Sequence, residues 1–256
     1  MDDRAARRRI TTQRPFANAY IEAPGFIDVR FYGDLLLLKW FSDNNVAYDC
    51  YQDTDLHNPA WLSQYKVLVL ATHPEYWTPQ MRDAVENYLA GGDRVTYTGG
   101  NGMYERVDHL AQAGPHVLQR GRQPVAVARS GPAGVVGARR GVRQLLLHGH
   151  ASVRGGRRAP VLEGTGLAVG DEFGKTGYNF AASGWEVDTR AGAGAEAPGV
   201  VQFAHGVQHR GAEMCVLPKP NGGWVFSAGS LCFNGALAHD PRMSRILLNA
   251  MNAAVS

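Results

Sequence analysis

The loop THPEYW, Thr72–Trp77, brings an imidazole, a carboxylate and a phenol together in its interior. His73 and Glu75 are residue types that take and return protons or orient a water, and both are also ordinary residues for fixing a loop. Tyr76 carries an oxygen that becomes anionic once its proton is withdrawn. Beside Trp77 it is also one half of an aromatic pair that packs a loop onto a sheet. A second loop, GGNG at Gly99–Gly102, offers bare backbone N–H groups and the Asn101 side-chain amide, donors of the kind that polarise a carbonyl oxygen. Asn101 is just as readily a left-handed turn residue.

Both loops follow segments that read as strands. Lys66–Ala71 (KVLVLA) is a short continuous apolar run, as expected of a strand covered on both faces, and Arg94–Thr98 is the next strand. Between them Thr78 and Pro79 start a helix, Met81, Val85, Tyr88 and Leu89 recur at helical spacing, and Gly91–Gly92 stop it. Upstream, Phe26–Phe31 reads as a strand, Asp34 as the N-cap of a helix from Leu35 to about Asn44, and Val46–Tyr51 as a further strand. Asp55 reads as the cap of a short helix through Trp61, Leu62 and Tyr65. Strands alternating with helices predict right-handed βαβ units and a doubly wound parallel sheet. Such sheets bind ligands beyond the carboxyl ends of their strands, which puts both loops on one edge. Farther on, Val200–Ala204, Met214–Leu217 and Trp224–Ala228 read as strands of a β-rich C-terminal extension. Pro241–Ala254 reads as an amphipathic helix with Met243, Ile246, Leu247 and Met251 on one face.

With 45% hydrophobic and 19% charged residues, the chain has the composition of a globular domain. Residues 1–25, with Arg7–Arg9 in a row, read as a basic arm, and 26–256 as one α/β domain. Apolar runs such as Leu35–Leu38 are far below the roughly 20 residues of a membrane span, and the first ten residues are charged, so a cytoplasmic protein without membrane contact is expected. Cys50, Cys215 and Cys232 show no metal-ligand spacing and are expected to be buried small hydrophobes. None lies in the glycine-flanked turn that a cysteine-dependent amidotransferase needs. The formal charge of +3 hides one anomaly: between Asp108 and Glu163 there is no acid, and nine arginines fall in the gap. Two readings compete for 109–162: a flexible basic insertion, and a GC-rich coding sequence read out of frame. Either predicts a poorly ordered segment, and the lack of interleaved aromatics argues against nucleic-acid binding.

Three segments carry a resemblance: DLLLLKWFSDNNVAYDCYQDTDLH (Asp34–His57), the stretch Tyr65–Tyr104 around HPEYW and GGNG, and GGWVFSAGSLCFNGAL (Gly222–Leu237). Together they resemble the N,N-dimethylformamidase large (beta) subunit family in its C-terminal domain. The resemblance implies a flavodoxin-like, class I glutamine-amidotransferase-like α/β fold and a mononuclear iron held by two tyrosines and a glutamate. That iron would polarise an amide carbonyl and activate water. It further implies a small amide as substrate, N,N-dimethylformamide or similar, split to amine and formate, with a small subunit or a second copy as partner. Tyr76 matches one tyrosine ligand. The other falls at Leu35, which cannot bind iron, so Tyr32 is the nearest phenol. Glu163 is the first carboxylate available for the glutamate, with Glu172 and Glu186 behind it. With one ligand of three securely matched, weak iron binding and little amidase activity are expected. A non-catalytic binding module on the same fold stands as the alternative.

Overall fold

The computed structural model describes residues 29–109, 160–189, 199–207 and 211–252, with short strand pieces at 9–11, 117–120, 145–147, 152–153 and 157–158. Its strands are β1 (Arg9–Thr11), β2 (Val67–Thr72), β3 (Tyr76–Trp77), β4 (Arg94–Gly99), β5 (Glu105–His109), β6 (Val117–Arg120), β7 (Leu145–Leu147), β8 (Ser152–Val153), β9 (Arg157–Arg158), β10 (Glu172–Phe173), β11 (Val201–Gly206), β12 (Glu213–Pro218) and β13 (Trp224–Ser227). The α-helices are α1 (Val29–Asp43), α2 (Pro79–Ala90), α3 (Phe233–Ala236) and α4 (Pro241–Asn252).

The main sheet has the order β10-β7-β11-β12-β13-β4-β2. As expected, β2 and β4 are parallel neighbours, from Val67 opposite Arg94 to Thr72 opposite Gly99. β13 lies parallel on the other side of β4, and from β12 outward the pairing is antiparallel. The sheet is therefore mixed, and the C-terminal strands continue it instead of forming an extension. The connections explain this: β12 and β13 are joined by Lys219–Gly223, long enough for a hairpin and far too short for the crossover that parallel neighbours need.

Side chains alternate between two apolar layers, as a pleated strand requires. Leu70, Val95 and Tyr97 pack beneath α2, with Met81, Val85 and Tyr88. On the other face Phe226 and Trp224 meet α1 and α4 through Leu37, Phe41, Met243, Ile246 and Leu247. Helix α2 begins as expected, with Thr78 accepting from the Met81 N–H at 3.3 Å and Pro79 in the first turn.

Four local expectations are corrected. Where a strand was expected to end at Phe31, helix α1 already begins at Val29, so Asp34 lies inside it and accepts from the Thr72 hydroxyl instead of capping it. Val46–Tyr51 belongs to none of the strands, and Tyr48 and Tyr51 are exposed. Pro59 divides the short helix into two 3₁₀ turns, Asp53–His57 and Pro59–Gln64, and Asp55 accepts from the Gln52 N–H from within the first. Cys50 is exposed, unlike Cys215 and Cys232. Most of 109–162 lies outside the described residues, but its last two, Val161 and Leu162, are fully buried in the core. Among the described residues no helix is long and apolar enough to cross a membrane.

Candidate functional site at the carboxyl edge

Both loops leave the same edge of the sheet, at the ends of β2 and β4. They are held together by Gly100 N–H donating to the Thr72 carbonyl at 3.1 Å and Met103 N–H donating to the Pro74 carbonyl at 2.7 Å. This contact demands glycine. A Cβ on Gly99 would lie 2.0 Å from the Thr72 carbonyl oxygen, and one on Gly100 would lie 2.2 Å from that of Glu186. The loops also carry left-handed residues, Thr72 at φ 34°, Asn101 at φ 56° and Met103 at φ 55°. Each costs local strain that the surrounding contacts must overcome.

His73 lies between two carboxylates. Its Nε2 sits 3.4 Å from Glu75 and in direct contact with Glu186, as an ion contact and not an aligned hydrogen bond. All three side chains are largely buried. Two carboxylates beside one nitrogen favour a proton on Nε2. The aromatic neighbours part company: Trp77 is buried and donates from Nε1 to Asp53 at 3.3 Å, while Tyr76 is 47% exposed. Packing thus accounts for Trp77, and Tyr76 is left facing outward beside the imidazole loop.

Behind the cluster lies Asp188, fully buried. Its Oδ1 accepts from the Asn101 N–H at 2.9 Å, and Tyr97, whose hydroxyl accepts from the Gly102 N–H at 2.7 Å, reaches the same carboxylate. Burial pushes the Asp188 carboxyl up to about 7 against the pull of these two donors; Glu186 adds to the rise and His73 opposes it. Tyr97 is held well above the ordinary phenol range, chiefly by burial. Asn101 is the left-handed turn residue of one reading, and it is also buried, with its side-chain oxygen lacking a hydrogen-bond partner among the described residues.

Of the residues matched to iron ligands, Tyr76 and Tyr32 belong to this end. Tyr32 immediately precedes Gly33, which packs against the Thr72 side chain, and its ring stacks on Tyr178 with centroids 5.1 Å apart. Glu163 does not. Asn249 of α4 holds its carbonyl at 2.6 Å, and two residues on, the Met251 carbonyl meets Arg94 at the start of β4. That is the amino end of the strands, about 17 Å away by the length of β4. Tyr76, Tyr32 and Glu163 are therefore not brought together, and as a set they do not fit one metal ion. Among the described residues no three His, Cys, Asp or Glu side chains form a metal-holding group either. Glu186, a lesser candidate by sequence, is the carboxylate that reaches the edge. Asp188 and Tyr97 were not singled out by sequence at all, although GWEVD at Gly184–Asp188 places two acids at alternate positions, the spacing that puts them on one face of an extended segment. The Cys232 thiol is pushed up to about 12 by burial, so it remains protonated and is no nucleophile.

A cavity of about 930 Å³ runs along the open side of β2 and reaches this edge at His73 and Pro74. Leu37, Phe41, Leu62 and Trp61 are among its walls.

Comparison with known proteins gives this edge a context. The beta subunit of N,N-dimethylformamidase from Alcaligenes sp is 42% identical over 73 residues, which make up 28% of this chain and 10% of that protein. The corresponding subunit from Paracoccus aminophilus is 41% identical over a stretch covering the same shares. The aligned stretch is thus about a tenth of the length of these relatives. The sequence profile described as N,N-dimethylformamidase beta subunit-like, C-terminal, matches residues 1–245, nearly the whole chain. The chain belongs to the N,N-dimethylformamidase beta subunit-like, C-terminal family.

Proposed function

We propose that the carboxyl edge of β2 and β4 is the hydrolytic site of an amide hydrolase domain, acting on a small amide in the manner the relatives' name implies. The observation that supports this most is the convergence of His73, Glu75 and Glu186 beside the exposed Tyr76, at the mouth of an apolar cavity. His73, held by the two carboxylates, takes a proton from water as the water attacks the amide carbon, and returns it to the departing amine nitrogen. Positive charge on the imidazole is stabilised by Glu186 and Glu75 as it forms. The Gly99–Gly102 turn lies beside the reacting centre; its Gly100, Asn101 and Gly102 N–H groups are committed to Thr72, Asp188 and Tyr97, so the donor it offers a developing oxyanion is the Asn101 side-chain amide. The apolar cavity takes the alkyl groups on the amide nitrogen.

Family resemblance adds an iron that would polarise the carbonyl. With Glu163 at the far end of the strands its matched ligands do not form a set, and no step here depends on it. The same departure favours a second reading, a non-catalytic module that binds amides. Further expectations of family membership are an amidotransferase-like arrangement of the parallel strands and a partner subunit, since the relatives are named as subunits.

The test is formate release from N,N-dimethylformamide and simpler formamides, followed by NMR, together with iron content and the visible tyrosinate-to-iron absorption. Hydrolysis that survives iron removal and is lost in His73→Ala supports this site. Hydrolysis dependent on stoichiometric iron, with an absorption lost in Tyr76→Phe, gives the reaction to the metal. Amide binding with no turnover favours the module.

A further inference from the structure

The Gly99–Gly102 turn is fastened from one side by two buried side chains, Asp188 and Tyr97. Asp188 accepts the Asn101 N–H at 2.9 Å, and its neighbour in the carboxylate contact, Tyr97, accepts the Gly102 N–H at 2.7 Å. The main chain of Asp188 is itself anchored: its N–H donates to the Gly229 carbonyl at 2.9 Å, and its carbonyl accepts from the Glu213 N–H at 2.9 Å. Val187 forms a bridge with Ser230, and the Glu186 carbonyl accepts from the Leu231 N–H at 3.2 Å. Segment 186–188 is thus tied into the core through its backbone, leaving the Asp188 side chain as its link to the turn. Burying a carboxylate is costly, and an apolar residue would have filled the space without that cost. Asn101 is also left-handed at φ 56° and holds a buried, unpartnered side-chain oxygen, an arrangement that relaxes unless something holds it.

We propose that Asp188 is a positioning residue: its carboxylate fixes the Gly99–Gly102 turn and so sets where Asn101 and Glu186 stand relative to His73. Asp188 touches none of the reacting groups itself. Its consequence for catalysis rests on the hydrolase reading above, whereas its effect on the turn does not.

Amide hydrogen exchange on the full chain, resolved by NMR, separates the two. Above pH 7, where the Asp188 carboxyl is ionised, Asp188→Ala accelerates exchange at the Asn101 N–H by roughly tenfold to a hundredfold, the loss of a charge-assisted bond, while amides inside β2 and β4 keep their protection. Asp188→Asn keeps the accepting oxygen without the charge, giving an intermediate, roughly three- to tenfold acceleration. Tyr97→Phe speeds exchange at Gly102 and leaves Asn101 protected. If Asp188→Ala does not fold, the last two variants decide. Unchanged exchange at Asn101 in the Asp188 variants, or equal acceleration throughout the sheet, overturns the proposal. Neither result depends on whether the protein hydrolyses an amide.

Discussion

The two ends of β2 and β4 are built from similar residues to different purposes. At the amino end polar side chains close off backbone carbonyls: Asn221 donates to Leu89 and Ala90, Asn249 to Val161 and Glu163, and Arg94 to Met251. At the carboxyl end the backbone turns left-handed at Thr72, Asn101 and Met103. There the side-chain oxygens of Thr98, Asn101 and Asn234 lie buried without partners among the described residues, and three ionisable groups crowd together. Polar groups satisfied inside the protein stabilise it, whereas strain and unmet hydrogen-bonding capacity persist only where the rest of the fold sustains them. One sheet thus has a structural end and a chemical end, and a carboxylate's role follows from the end it occupies.

The largest test of this contrast is pH. Asp188 is raised from 3.8 to about 7, so the native state holds a proton that the unfolded chain has released between those values. Its penalty is absent below pH 4, grows as pH rises and is complete above 7, where it amounts to about 4 kcal/mol. Urea unfolding should show this loss of stability between pH 4 and 8, and Asp188→Asn should abolish it. The same slope in the variant would mean that another group is responsible. Next in size, His73→Ala should lower the rate constant of amide hydrolysis by about a hundredfold or more with circular dichroism unchanged. Gly100→Ala forces a Cβ onto the Glu186 carbonyl, and thermal melts should show a loss of about 1–3 kcal/mol. Smallest is Asn249→Ala at the structural end, which should cost about 1 kcal/mol and leave turnover unaltered. A large effect of Asn249→Ala on turnover would erase the distinction between the ends.

Much of the chemical end was legible in the sequence. The parallel pairing of β2 and β4 follows from apolar runs separated by a capped helix, and it puts THPEYW and GGNG side by side. Tertiary contacts supplied the rest. Glu186 and Asp188 reach the edge because a distant segment docks through backbone bonds to Gly229 and Leu231, which no local pattern encodes. From Val29 the strand expected at Phe26–Phe31 gives way to helix α1, which packs closely enough on β2 for Gly33 to meet Thr72, and 26–28 lie outside the described residues. Glu163 was assigned a role as the first carboxylate after the acid-free stretch, and the docking of α4 holds its backbone at the opposite end.

The central claim, that chemistry belongs to the end where His73 stands, is tested most directly by measuring amide hydrolysis in Glu186→Gln and Glu163→Gln side by side. A loss of about a hundredfold in Glu186→Gln, with Glu163→Gln within about twofold of the parent chain, is the expected result. The reverse order, with Glu163→Gln inactive and Glu186→Gln unimpaired, would contradict it.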